Sequence, residues 1–261
     1  MTATRINRFL ARRGVASRRG ADLLVGAGRV RINGNTAGIG TSVDPERDRI
    51  EVDGELVEPV ARAETVMLNK PSGVVTTVRD SHGRQTVMDL LVPSRAERGA
   101  RGSSRSAAPA THGAPGMVPI GRLDSDSRGL LLISSDGDLA HRLTHPRYGV
   151  TKRYRLTLAR PAAASDLRRM VEGVHLEDGP ARALGARIHR GGDGWVVEVE
   201  MGEGRKHEVR RLAAAVGLEV VDLLRVSLGP LRLGDLAEGR WRRLTIEELH
   251  ALRASVGMEE P

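Results

Sequence analysis

Apolar positions recur along this chain at two periods, and the switches between them mark its elements. Ile6, Phe9 and Leu10 fall at helical spacing with Gly14 as a stop. Ser17 stands where its hydroxyl can cap a second helix, which carries Ala21, Leu23 and Leu24 and ends by Gly26 or Gly28. Two short helices this close predict a hairpin. The period then shortens to two: residues 29–34 and 49–54 alternate as strands and run into Asn33-Gly34 and Asp53-Gly54, the residue pairs that tight hairpin turns demand.

Residues 59–64 read as a linker, and residues 65–77 as strand, turn, strand. The run from Leu130 to Ile133 is short and continuously apolar, as in a buried strand. A helix is predicted over 138–143, ending near Pro146, and a strand over 151–158 with Lys152, Tyr154, Leu156 and Leu158 on one face. Further on come a helix at 166–173, a strand at 195–201 and a helix at 206–216, whose Val209, Leu212, Ala213 and Val216 share a face. Strands return at 220–228 and 231–233, and Thr245 with Glu248 forms a capping box for a last helix. Strands interspersed irregularly with helices predict an α+β sheet domain, not regular βαβ winding. Residues 94–116 have no period and are rich in Arg, Ser, Ala, Gly and Pro, which predicts a mobile basic insertion that cannot bury enough apolar area to order itself.

At 261 residues the chain is long enough for two domains. It has no cysteine, which excludes a disulfide framework, a thiolate nucleophile and a thiolate zinc site. No apolar run approaches the length of a membrane span, so a cytoplasmic protein without a membrane partner is expected. The net charge of +8 is unevenly placed. Arg5, Arg8, Arg12, Arg13, Arg18, Arg19, Arg29 and Arg31 precede residue 32 against Asp22 alone, the electrostatic footprint of a surface that meets phosphates.

The chemistry-bearing stretch is Gly121-Arg122-Leu123-Asp124, which leads into the apolar strand. Gly121 lets the backbone turn tightly, Leu123 anchors the loop inward, and Asp124 is thereby held on a rigid edge. Two metal readings fail on their residues. His141 and His145 have zinc-like spacing but no glutamate base between them and no third ligand, and Arg122 and Arg128 would compete with a cation at Asp124 and Asp126. There is no phosphate-cradling glycine loop or dinucleotide fingerprint, so neither a metal nor a nucleotide cofactor is expected.

Residues 5–11, 14–19, 28–34 and 52–54 resemble an S-four-type RNA-binding domain, which implies that the eight arginines above contact structured RNA. Four further stretches occur in the order found in RNA pseudouridine synthases of the RsuA type: residues 68–74, Gly121-Arg122-Leu123-Asp124, Lys152-Arg153-Tyr154, and residues 204–212. His207-Glu208 and Leu212-Ala213 depart from that family's usual residues, and the 94–116 insertion is long for it. The resemblance implies an α+β fold: a small α/β RNA-binding domain (1–60), then a larger domain (65–255) built on a mixed, mainly antiparallel sheet with flanking helices. It implies Asp124 as the reactive carboxylate, either nucleophile at the ribose anomeric carbon or base at the neighbouring sugar position. Arg210 is implied as the salt-bridge partner of Asp124, with Arg205 as the alternative, and Tyr154 as the ring stacked on the target base. Arg122 is implied to contact phosphate or prop the emptied site open, and Arg205, Lys70 and Lys152 are further RNA contacts or, for the lysines, scaffold groups. The implied function is conversion of uridine to pseudouridine in ribosomal RNA, on the large subunit, by a monomer. A small-subunit target and a noncatalytic ribosome-assembly factor are the competing readings.

Overall fold

The structure is a computed structural model that describes residues 3–58, 63–91, 116–189 and 195–258. The expected insertion, up to residue 115, and most of the expected linker lie outside the described residues. The chain forms two compact units: the first takes residues up to Glu64 and also 116–118 and 134–137 of the described residues, the second the remainder.

In the first unit, strand β1 (Thr4–Arg5) leads into helices α1 (Ile6–Arg12) and α2 (Arg18–Gly26). The Ser17 hydroxyl accepts from the Gly20 amide, as its place before α2 predicts. The Asn7 amide donates to both carboxylate oxygens of Asp22, so the one acidic side chain of this stretch is spent tying the helices together. Strands β2 (Val30–Ile32), β3 (Asn35–Thr36), β4 (Ser42–Val43), β5 (Ile50–Val52) and β6 (Glu55–Leu56) follow; β3-β2-β5-β6 form one antiparallel sheet, and β4 pairs with β1. Positive φ at Asn33 and Gly34, and again at Asp53 and Gly54, gives both hairpins the turn that matches strand twist. Ile6, Phe9, Leu10, Ala21, Val25, Val30 and Ile50 form the core.

The second unit is built on a nine-stranded sheet. Its strands are β7 (Thr65–Lys70), β8 (Val118–Ile120), β9 (Arg128–Ser134), β10 (Lys152–Leu158), β13 (Gly185–Ile188), β14 (Val196–Met201), β15 (Val220–Leu228), β16 (Leu231–Arg232) and β17 (Trp241–Arg243), in the order β13-β14-β10-β15-β9-β7-β17 with β8 and β16 appended. β9 and β15 run parallel, whereas β10 pairs antiparallel with both β14 and β15. A separate hairpin joins β11 (Val174–Leu176) and β12 (Gly179–Ala181). Helices α3 (Gly137–Thr144), α4 (Ala164–Glu172), α5 (Glu208–Ala215) and α6 (Ile246–Ala254) complete the unit, and Thr245 with Glu248 makes the capping box foreseen for the last of them. Leu130 and Leu132 of β9 pack with Leu139, Leu143 and Leu252 in the core. Among the described residues no helix is long and apolar enough to cross a membrane.

Candidate active site

The loop carrying Asp124 is fastened from behind by the segment after β7. Lys70 is fully buried, and its ammonium donates to the carbonyls of Pro71 (2.9 Å), Ser125 (3.2 Å) and Ser127 (2.8 Å), using all three of its hydrogens. Burial pulls its pKa down to about 8, although Asp126 and Asp124 oppose the shift. The Gly73 amide donates to Ser125 O, and the Thr76 hydroxyl donates to Leu123 O at 2.6 Å. Gly121, at φ +70°, makes the turn, and Leu123 is buried beneath it. Asp124 is thus presented from a backbone pinned on both sides.

Opposite Asp124, the sheet register sets two more groups. Tyr154 on β10 is paired with Arg225 on β15, and Arg225 with Gly129 on β9, so the three occupy one row across the sheet. Side chains of directly paired residues share a face. A Cβ on Gly129 would lie 2.4 Å from Arg225 O, and its φ is +104°, so this close strand contact requires glycine. The Arg225 guanidinium is only 2% exposed; its Nε donates to Leu130 O at 2.7 Å, and its Nη2 is buried with no partner. A buried donor left unsatisfied carries a cost in stability. Tyr154 is 7% exposed. Asp124, Tyr154, Arg225, Lys152, Arg122 and His207 all line one cavity of about 370 Å³. Burial lowers the pKa of Lys152, and the charge of Arg225 lowers it further.

The ion pair expected between Arg210 and Asp124 is not formed. Arg210 reaches Asp126 at 3.0 Å and donates to Val220 O, while Asp124 Oδ2 faces His207 Nδ1 at 3.2 Å. The reason is helical phase. His207 precedes Arg210 by nearly one turn and occupies the place beside Asp124, which leaves Arg210 the carboxylate two residues further along the loop. Arg205 is no better placed: its guanidinium is committed to Glu208, Asp178, Glu203 and Pro180 O, a scaffolding role in place of the RNA contact expected of it. Glu208 in turn is 3% exposed, and burial is the largest cause of its raised pKa. Lys70, fully buried, takes the scaffold role of the two considered for it. Arg122 is exposed at the cavity and makes no hydrogen bond or ion pair among the described residues.

Among the arginines of the first unit, Arg18, Arg19 and Arg31 are exposed and unpaired within the described residues. Arg29 is bound through two hydrogen bonds to Asp53, Arg5 donates to Gly40 O, and the Arg13 guanidinium lies 4.8 Å over the Phe9 ring. Arg8 and Arg12 are half-buried. His141 and His145 bring their ring centroids to 5.3 Å, and no group of three metal-ligating side chains stands together among the described residues.

Sequence reasoning missed Arg225 and noted His207 only as part of a departure from the family that bears on substrate positioning. The signal for Arg225 is a charge set between Leu223, Leu224 and Val226 in a largely apolar strand, a position that buries a guanidinium only at a cost. For His207 it was its place in the His207-Glu208 pair, which departs from the family's usual Arg-Gln or His-Gln.

Comparison with known proteins bears on the family of the chain. A family described as RNA pseudouridylate synthase matches residues 64–215, and the S4 domain matches residues 4–50. The chain is 39% identical to an uncharacterized RNA pseudouridine synthase of Aquifex aeolicus, over 99% of this chain and 97% of that one. It is 37% identical to the ribosomal large subunit pseudouridine synthase B of Pseudomonas aeruginosa, over 98% of this chain and 63% of that longer protein. A crystal structure of a pseudouridylate synthase superposes with a TM-score of 0.61 at 29% identity, covering 95% of this chain and 99% of the other.

Proposed function

The chain belongs to the RNA pseudouridine synthase family, and from that premise we propose that it isomerises a uridine of large-subunit ribosomal RNA, with Asp124 as the reactive carboxylate. The observation that carries the reading is the convergence of Asp124, Tyr154 and Arg225 on one cavity. In the reaction the C1′–N1 bond breaks with its electron pair leaving on uracil, the base turns, C1′ bonds to C5, the C5 hydrogen departs as a proton, and N1 takes up a proton in its place. The exchange is redox-neutral and balanced within one nucleotide, so no cofactor enters it. Asp124 starts the sequence, either by attacking C1′ or by removing the proton at C2′. The target base has to leave its stack to enter the cavity, whose wall carries the Tyr154 ring and Arg225.

The choice of large-subunit RNA is supported by the name of the Pseudomonas relative, and the exposed arginines of residues 1–60 suit an RNA backbone. In this reading residues 1–60 bind RNA, residues 65–255 do the chemistry, and a monomer acts in the cytoplasm. Pseudouridine mapping in ribosomal RNA from cells with and without the protein tests it. One large-subunit site should revert to uridine in its absence. A lost small-subunit site would move the target, and an unchanged map would favour a noncatalytic assembly factor.

A further inference from the structure

Two contacts join the N-terminal end of α5 to the loop of Asp124. His207 meets Asp124 at 3.2 Å, and Arg210, on the same helical face, meets Asp126 at 3.0 Å. Asp124 and Asp126 lie on one turn, closed by the Ser127 amide donating to Asp124 O at 3.1 Å, so contacts to both fix the loop in rotation as well as position. From this clasp we infer that His207 is a positioning residue for the isomerisation: its Nδ1, 3.2 Å away, holds Asp124 Oδ2 and turns the other oxygen, Oδ1, towards the substrate. The inference rests on the reading of Asp124 as the reactive carboxylate.

The backbone supports it. His207 sits at φ +51° and ψ +24°, a left-handed conformation that non-glycine residues adopt at some cost and retain where the surroundings over-determine them. What over-determines it is visible on both flanks. The Arg205 amide and Nε each donate to Glu208 at 3.0 Å, closing a loop around His207, and Glu208 is buried beneath it. The imidazole makes no helix-capping bond of its own; its recorded polar contact is Asp124. No other polar partner of the Asp124 side chain stands among the described residues, so Oδ1 is the oxygen left for chemistry.

The left-handed backbone also makes the donor separable from the fold. Glycine accepts this φ without strain and deletes the imidazole; asparagine tolerates the same region and carries an N–H donor on the γ carbon, where Nδ1 stands. The experiment is single-turnover release of tritium from C5-labelled uridine in large-subunit ribosomal RNA, with enzyme in saturating excess, alongside RNA affinity and thermal midpoint. His207→Gly should lose roughly 10- to 100-fold in rate, the scale of a catalytic group misplaced by about an ångström, with RNA affinity within about twofold. His207→Asn should recover most of that loss, and the two variants should melt together. A His207→Gly enzyme at the wild-type rate, or an asparagine variant as slow as the glycine one, would overturn the assignment. Asp124→Asn run beside them separates the two failures, because turnover in that variant removes the premise and not the clasp.

Discussion

A buried lysine surrounded by three carbonyls sets an upper limit on the pH range of this site. Lys70 holds the Asp124 loop only while it has three hydrogens to give, and its pKa is drawn from the ordinary value down to about 8. Above that pH the neutral amine has one donor too few. The sign for stability is opposite to that for activity. A folded-state pKa below the unfolded one means the charged form is disfavoured by folding, a cost fully present below pH 8 and relieved as pH rises towards the ordinary lysine value. The single-turnover rate should therefore fall as pH passes about 8 while the thermal midpoint does not fall in step, and a Lys70→Met enzyme should be slow and lack that limb. A midpoint that falls together with the rate would assign the limb to global unfolding. The residue scale is also where the sequence was least legible. The turn and strand around Asp124 were readable locally, whereas the reactive role proposed for its carboxylate came from the family resemblance. The partner of that carboxylate was not readable, since the choice between His207 and Arg210 depends on the phase of α5 against the loop, which no local pattern records.

At the scale of elements, periodicity and turn chemistry gave α1, α2, β2, β5, β10, β14, α5 and α6 nearly in place, because each has an amphipathic repeat, a cap or a left-handed turn of its own. The short strands β3, β4 and β17 were not legible. Trp241–Arg243 has no alternation and becomes a strand only by pairing with β7, some 170 residues earlier in the chain. The parallel seam of β9 and β15 is a second such long-range fact, and Gly129 is the residue that permits it. Gly129→Ala combines positive φ with a Cβ 2.4 Å from Arg225 O and 2.8 Å from Arg225 N. It should cost about 1 to 3 kcal/mol in stability and slow turnover by shifting the strand that carries Arg225. Thermal unfolding and single-turnover rate measure the two effects, and a variant unchanged in both would mean the seam is looser than drawn.

At the scale of the whole molecule the charge is divided by role. Of the eight arginines before residue 32, Arg18, Arg19 and Arg31 are exposed and unpaired among the described residues, whereas Arg5 and Arg29 are bound within the protein. Charge counting could find the block but not this division. Replacing those three with alanine should lower the slope of log affinity against log salt by roughly 2 to 3 units, at about 0.7 to 0.9 per phosphate contact. An unchanged slope in a salt titration would make them ordinary surface charges. The account as a whole turns on Asp124. The most direct measurement is tritium release from C5-labelled uridine in large-subunit ribosomal RNA by the wild-type and Asp124→Asn proteins, with RNA binding measured on both. Release by the wild-type protein, none by the variant, and equal binding is the expected result; release that persists in the variant would contradict it.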